Sequence, residues 1–174
     1  MTRAMKTLVI AVAIVLAFIL LWLVLLTPNQ AGAATSQKQL QIASYSSSTT
    51  TTTPRVVGTT SCRSTSRTIV TRNYLGYVLF RFTGYGYWCW SGGKVRSVQW
   101  SQSGTVGGQI WNTYEYLGLS SDVRGGSVGG NYVYRRAYGN FRACIPALHW
   151  CQSQYPFVTL TLRGDGTSSA GSGF

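Results

Sequence analysis

The chain has 174 residues, 15 Lys and Arg against 3 Asp and Glu, a net charge of +12 and only 10% charged residues; an ordinary soluble domain carries about 25%. Three acids exclude a protein built on several metal sites, and a single His leaves little for acid–base chemistry. Aromatic residues make up 13% of the chain, which excludes wholesale disorder. In chain order, Arg3 and Lys6 come first, followed by an unbroken apolar run of 19 residues from Leu8 to Leu26. Pro28 and the small-residue stretch Ala31-Gly32-Ala33-Ala34 follow. A basic start, an apolar middle and an A-x-A-like segment describe a secretory signal peptide. At about 1.5 Å per residue the run also crosses a hydrocarbon core of about 30 Å. Residues 1–34 therefore read as a signal peptide or as an uncleaved signal-anchor transmembrane helix. Either way the basic end stays cytoplasmic. The remainder is expected to be secreted, or anchored to the cytoplasmic membrane with the domain outside.

Residues 35–60 are rich in Ser and Thr, and Ser46 to Thr53 is entirely hydroxylic ahead of Pro54. Such a stretch buries nothing and predicts a flexible, disordered linker. Residues 61–166 predict an all-β domain. Val78, Phe80 and Phe82 fall on one face at period two, as do Val158, Leu160 and Leu162, with Thr159, Thr161 and Arg163 opposite. Arg96, Val98 and Trp100 predict a third such face, and Tyr132, Tyr134, Arg136 and Tyr138 a fourth. Glycine pairs at 92–93, 107–108, 125–126 and 129–130 mark turns between them. Seven or eight short strands in an antiparallel β-sandwich, immunoglobulin-like or jelly-roll-like, fit this pattern; a closed barrel is the alternative. Residues 167–174 predict a frayed tail.

Four cysteines, Cys62, Cys89, Cys144 and Cys151, agree with export, since an even number in an exported domain reads as two disulfides. Of the three connectivities, Cys62–Cys89 with Cys144–Cys151 keeps both loops local. On chain-entropy grounds these bridges contribute about 3.6 and 2.5 kcal/mol. A metal site from Cys144, His149 and Cys151 is the competing reading, but the spacing matches no usual zinc pattern. No metal and no cofactor is expected.

The run Tyr87-Trp88-Cys89-Trp90-Ser91-Gly92-Gly93-Lys94-Val95 resembles the W-C-W/Y-(N/D)-G-x-x-V segment of uncharacterised secreted proteins from actinobacteria and related bacteria. Phe141-Arg142-Ala143-Cys144-Ile145 with Cys151, and Tyr155-Pro156-Phe157 through Gly166, extend the likeness. The sequence departs from that pattern at Ser91, where Asn or Asp is usual, and at Phe157, where Trp is usual. The resemblance implies an extracytoplasmic, disulfide-bonded β domain and brings no catalytic residues with it.

The residues themselves offer little catalysis. His149 sits inside the short Cys144–Cys151 loop, and no G-x-S-x-G elbow is present. A hydrolase would have to draw its carboxylates from Glu115, Asp122 and Asp165. Arg163-Gly164-Asp165 matches the cell-adhesion tripeptide, but Arg-Gly-Asp-Gly is equally a turn after a strand. Binding is the better reading. Trp88 and Trp90 flank Cys89 on one strand face; if Cys89 lies in the core both indoles point outward, as stacking on sugar rings requires, whereas packing as core or as cover for the disulfide is the other reading of the same residues. Arg135, Arg136 and Arg142 supply positive charge suited to bidentate pairing with phosphate or carboxylate. The expected partner is an anionic cell-wall polymer, a polysaccharide or a membrane surface, with residues 8–26 in contact with the membrane if uncleaved. Aromatics interleaved with Arg also suit single-stranded nucleic acid, but export disfavours that partner. Neutral polysaccharide held by Trp88 and Trp90 is the second reading, and a secreted hydrolase the third.

Overall fold

A computed structural model describes residues 42–108, 114–145 and 149–174. The signal or anchor segment, the first part of the proposed linker and Trp111 lie outside the described residues. Lys38–Phe174 forms one compact unit. It holds both hydrophobic cores and both disulfides, which is what a domain needs to fold alone.

Ten strands are described: β1 (Ser44–Thr51), β2 (Arg55–Val57), β3 (Thr60–Arg72), β4 (Val78–Ser91), β5 (Lys94–Val106), β6 (Tyr114–Gly126), β7 (Tyr132–Ile145), β8 (Trp150–Gln154), β9 (Phe157–Arg163) and β10 (Ser168–Gly173). They form two antiparallel sheets, β1-β3-β4-β5 with β2 also on β3, and β10-β9-β7-β6 with β8 also on β7. The expected β-sandwich is therefore present, but its wiring is neither immunoglobulin-like nor jelly-roll-like. Each sheet comes from one contiguous stretch of chain, whereas those folds interleave strands between sheets. Long hairpins explain the difference. The 13- and 14-residue strands β3 to β7 run about 45 Å at about 3.4 Å per residue, so consecutive strands complete a sheet without crossing over.

Local chemistry sets the turns. Gly92 and Gly93 have φ of 58° and 73° and join β4 to β5 in two residues, a geometry that requires positive φ at both positions. Asn73 is buried, and its Oδ1 accepts from the backbone N–H of Leu75 and Tyr77, both at 3.0 Å, which folds the β3–β4 turn back on itself.

The proposed linker is in part an edge strand. β1 pairs with β3 over all eight of its residues, from Ser44↔Arg72 to Thr51↔Thr65. It buries no side chain, which is why composition reads as disorder; hydroxyl contacts replace burial. Thr51 and Thr65 share a hydrogen bond of 2.9 Å, and Arg67 donates to Thr49 and Ser47. β1 and β2 lie end to end along β3, with Pro54, which has no N–H to give, in the gap. The tail is likewise ordered: β10 pairs with β9, Ala170 packs on the core, and the Phe174 ring meets Tyr45 at 5.4 Å and Phe80 at 6.3 Å.

Between the sheets, Phe80 and Phe82 of β4 pack against Phe141 of β7 and Val158 and Leu160 of β9. A second cluster joins Trp88, Val95, Val133 and Leu162. The β7 and β9 alternations read in the sequence hold here, and Phe80 and Phe82 of β4 face the core, but Val78 leaves their face: a bulge pairs Thr71 with Phe80 and Arg72 with Val78, and Leu79 is buried in its place. The Arg96 face fails for the same kind of reason. A bulge pairs Trp90 with Val95 and Cys89 with Ser97, so Arg96 is the extra residue and leaves the face of Val98 and Trp100. At the Gly92–Gly93 end the sheets are tied by backbone. Val95 N–H donates to Gly130 at 2.9 Å and Gly129 N–H to Val95 at 2.6 Å.

Candidate functional site

The disulfides are Cys62–Cys89 and Cys144–Cys151, each joining residues directly opposite on neighbouring strands. With both sulfurs bonded, Cys144 and Cys151 are unavailable to a metal.

Trp88 and Trp90 do not form the expected stacking platform. Cys89 faces outward and Trp88 inward, the reverse of the arrangement that would expose the indoles. Trp88 is fully buried, and its Nε1–H donates to the Arg163 carbonyl at 3.1 Å. Trp90 is half-buried; it lies 5.6 Å from Trp88, has the Arg63 guanidinium over its ring at 5.6 Å, and touches Gly166. Period-two spacing puts the two indoles on one side of the strand, but only the opposing sheet decides which side is the core.

The three candidate arginines separate. Arg135 is 5% exposed and points between the sheets. Its Nε donates to Asp122 Oδ1 at 2.6 Å and its Nη2 to Gln102 Oε1 at 2.7 Å, so it is an internal brace rather than a surface charge. Burial raises the Asp122 carboxyl, but hydrogen bonds from Arg135 and Arg124, with their charges, hold it below the usual carboxylate range. Arg142 is exposed and ion-paired with Glu115. Arg136 remains available. Its Nε donates to Thr159 Oγ1 at 3.0 Å and its guanidinium lies 5.1 Å over Phe157. The four N–H groups on its Nη atoms have no protein partner among the described residues.

Around Arg136 the outer face of the second sheet carries a site that the sequence reading did not name. Tyr132, Tyr134, Arg136 and Tyr138 alternate outward along β7, opposite Arg163, Thr161, Thr159 and Phe157 of β9. Tyr134 stands opposite Gly125 of β6, and a Cβ on that glycine would strike the tyrosine ring. The ring thus lies over the sheet surface, covering backbone that a side chain would otherwise occupy. Tyr132 is 48% exposed, and the Tyr138 ring packs on Phe157 at 5.5 Å, tilted by 46°. Arg163 is exposed, and its charge acts on the nearby Asp165 carboxylate. The result is a row of three phenol rings and the Arg136 guanidinium at about 7 Å intervals along β7, with Arg163 across from Tyr132 on β9. Rings of this kind stack on sugars, and the guanidiniums pair with carboxylate or phosphate. The signal was the Tyr132–Tyr138 alternation itself, which the sequence reading used for fold and not for function.

Charge divides unevenly along the chain. Residues 42–108 carry seven Lys and Arg and no acid; residues 114–174 carry five Arg and all three acids. The chain matches no family model, no curated protein and no solved structure.

Proposed function

We propose that the protein is an exported, non-catalytic binding domain for anionic cell-envelope or extracellular polymer, with the outer face of β7 and β9 as its platform. The observation that carries this reading is the Tyr132–Tyr134–Arg136–Tyr138 row, with Tyr134 over Gly125 and the Arg136 Nη groups without a hydrogen-bond partner among the described residues. Export is supported by the sequence of residues 1–34 and by two disulfides, which persist in oxidising compartments. The non-catalytic reading is supported by the acids. Asp122 is engaged by Arg135 and Arg124, and Glu115 by Arg142. Asp165 is held below its usual range by hydrogen bonds from the Thr167 hydroxyl and N–H. A general acid needs a carboxyl shifted upward.

The test is co-sedimentation of residues 38–174 with purified bacterial cell walls and with insoluble neutral polysaccharide at low and high salt. Retention on walls that falls steeply with salt is expected, because exposed charges are screened over about a Debye length. Tyr134→Ala and Arg136→Gln should each weaken it. Retention on neutral polysaccharide without salt dependence would move the assignment to a neutral carbohydrate module. No retention on either material would overturn both.

A further inference from the structure

At the end of the sandwich opposite the Gly92–Gly93 turn, the tip of the β3–β4 hairpin exposes three apolar side chains. Tyr74 is 67% exposed, Leu75 61% and Tyr77 45%. A turn fixed internally by Asn73 has no need of apolar residues at its tip, and such residues cost solubility unless something covers them. Beside the tip, Arg72, Tyr77, Arg81 and Gly107 help line an open pocket of about 310 Å³. Among the described residues, Arg72 gives one N–H, to the Gly76 carbonyl at 2.9 Å, and the Arg81 guanidinium has no partner. No acid lies anywhere in residues 42–108.

We propose that this tip docks on an anionic lipid bilayer: Tyr74, Leu75 and Tyr77 enter the headgroup region while Arg72 and Arg81 hold a lipid phosphate. Tyrosine with an aliphatic neighbour is the side-chain chemistry of a membrane interface. Paired guanidiniums in an acid-free sheet complement a negative surface. The entry of the chain agrees. Ala43 N–H donates to the Arg72 carbonyl at 2.9 Å, so β1 begins beside this tip. The apolar run of residues 8–26 ends sixteen positions before Ile42 in sequence, a tether of at most about 58 Å. The surface is separate from the β7–β9 platform and does not rest on the polymer reading.

Residues 38–174 are mixed with vesicles of phosphatidylglycerol and phosphatidylcholine, and with phosphatidylcholine alone, and sedimented. Retention on the anionic vesicles only, weakened by salt, is expected. Arg72→Gln and Arg81→Gln should each lower the partition coefficient about fivefold. The double variant Tyr74→Ser/Leu75→Ser should lower it about tenfold or more. These side chains are exposed, so the variants should keep the urea midpoint of the parent. Tyr134→Ala/Arg136→Gln should leave vesicle retention unchanged, which separates this surface from the polymer platform. Equal retention on both vesicles, or retention untouched by the tip and arginine variants, would overturn the proposal. So would a dimer that Leu75→Ser dissolves without any vesicle binding, since the tip would then be a self-association surface.

Discussion

Replacing Asp122 by Asn leaves the Arg135 guanidinium between two sheets without its counter-charge. Arg135 is 5% exposed and reaches Asp122 at 2.6 and 3.1 Å through Nε and Nη2. Opposite charges about 4 Å apart attract by about 4 kcal/mol at an effective dielectric constant of about 20. The Asp122 side chain keeps 23% exposure, so water returns part of that, and Asn still accepts one hydrogen bond. The expected loss is about 2–3 kcal/mol, below the 3–5 kcal/mol typical of a fully buried pair. For a domain of this size it lowers the Tm by roughly 6–15 °C. The assay is urea unfolding with both disulfides intact, read as a shift of midpoint at unchanged slope. The double variant Asp122→Asn/Arg135→Met removes the buried charge as well and should recover at least half the loss, because an apolar side chain of similar length satisfies the site. A single variant within about 0.5 kcal/mol of the parent, or a double variant no better than the single, would refute the assignment of Arg135 as a charge-paired brace.

Trp88→Ala should cost about 3–5 kcal/mol by urea unfolding, from the void it leaves and the lost bond to Arg163; Trp88→Phe should retain cell-wall binding unchanged, since the indole is fully buried between the sheets. Burial pushes the Tyr114 phenol up to about 12. The folded state therefore favours the neutral phenol, and this contribution, about 2–3 kcal/mol, is whole below pH of about 10 and lost as pH rises through about 12. Tyr114→Phe should flatten that limb of the urea midpoint measured against pH. Gly166 has a φ of 83°, and a Cβ there would enter the Trp90 ring; Gly166→Ala should destabilise by more than the roughly 1–2 kcal/mol of left-handed strain alone, measured the same way.

Fold class was legible in the sequence because one-sided burial writes itself as period two. Phe80, Phe82, Val158, Leu160 and Leu162 are the core that their alternation predicts. The local disulfide pairing was legible for a related reason, since two short loops suffice to bring each cysteine opposite its partner. Where burial is absent the pattern is silent. β1 offers only exposed hydroxyls, and its place in the sheet rests on backbone pairing to β3 that composition does not record.

Alternating burial, four cysteines and excess arginine specify an all-β, disulfide-stapled, strongly basic domain behind an apolar N-terminal run. Alternation, cysteine parity and charge are local or additive properties, readable without coordinates. Tertiary structure alone decided which side of each strand became surface. It turned Trp88 inward and Cys89 outward, drew Arg135 onto Asp122 between the sheets, and left Tyr134 and Arg136 on the outer face. Both sides of a strand are available to any alternating sequence. The sheet that packs against it chooses one, and that choice is made by residues distant along the chain.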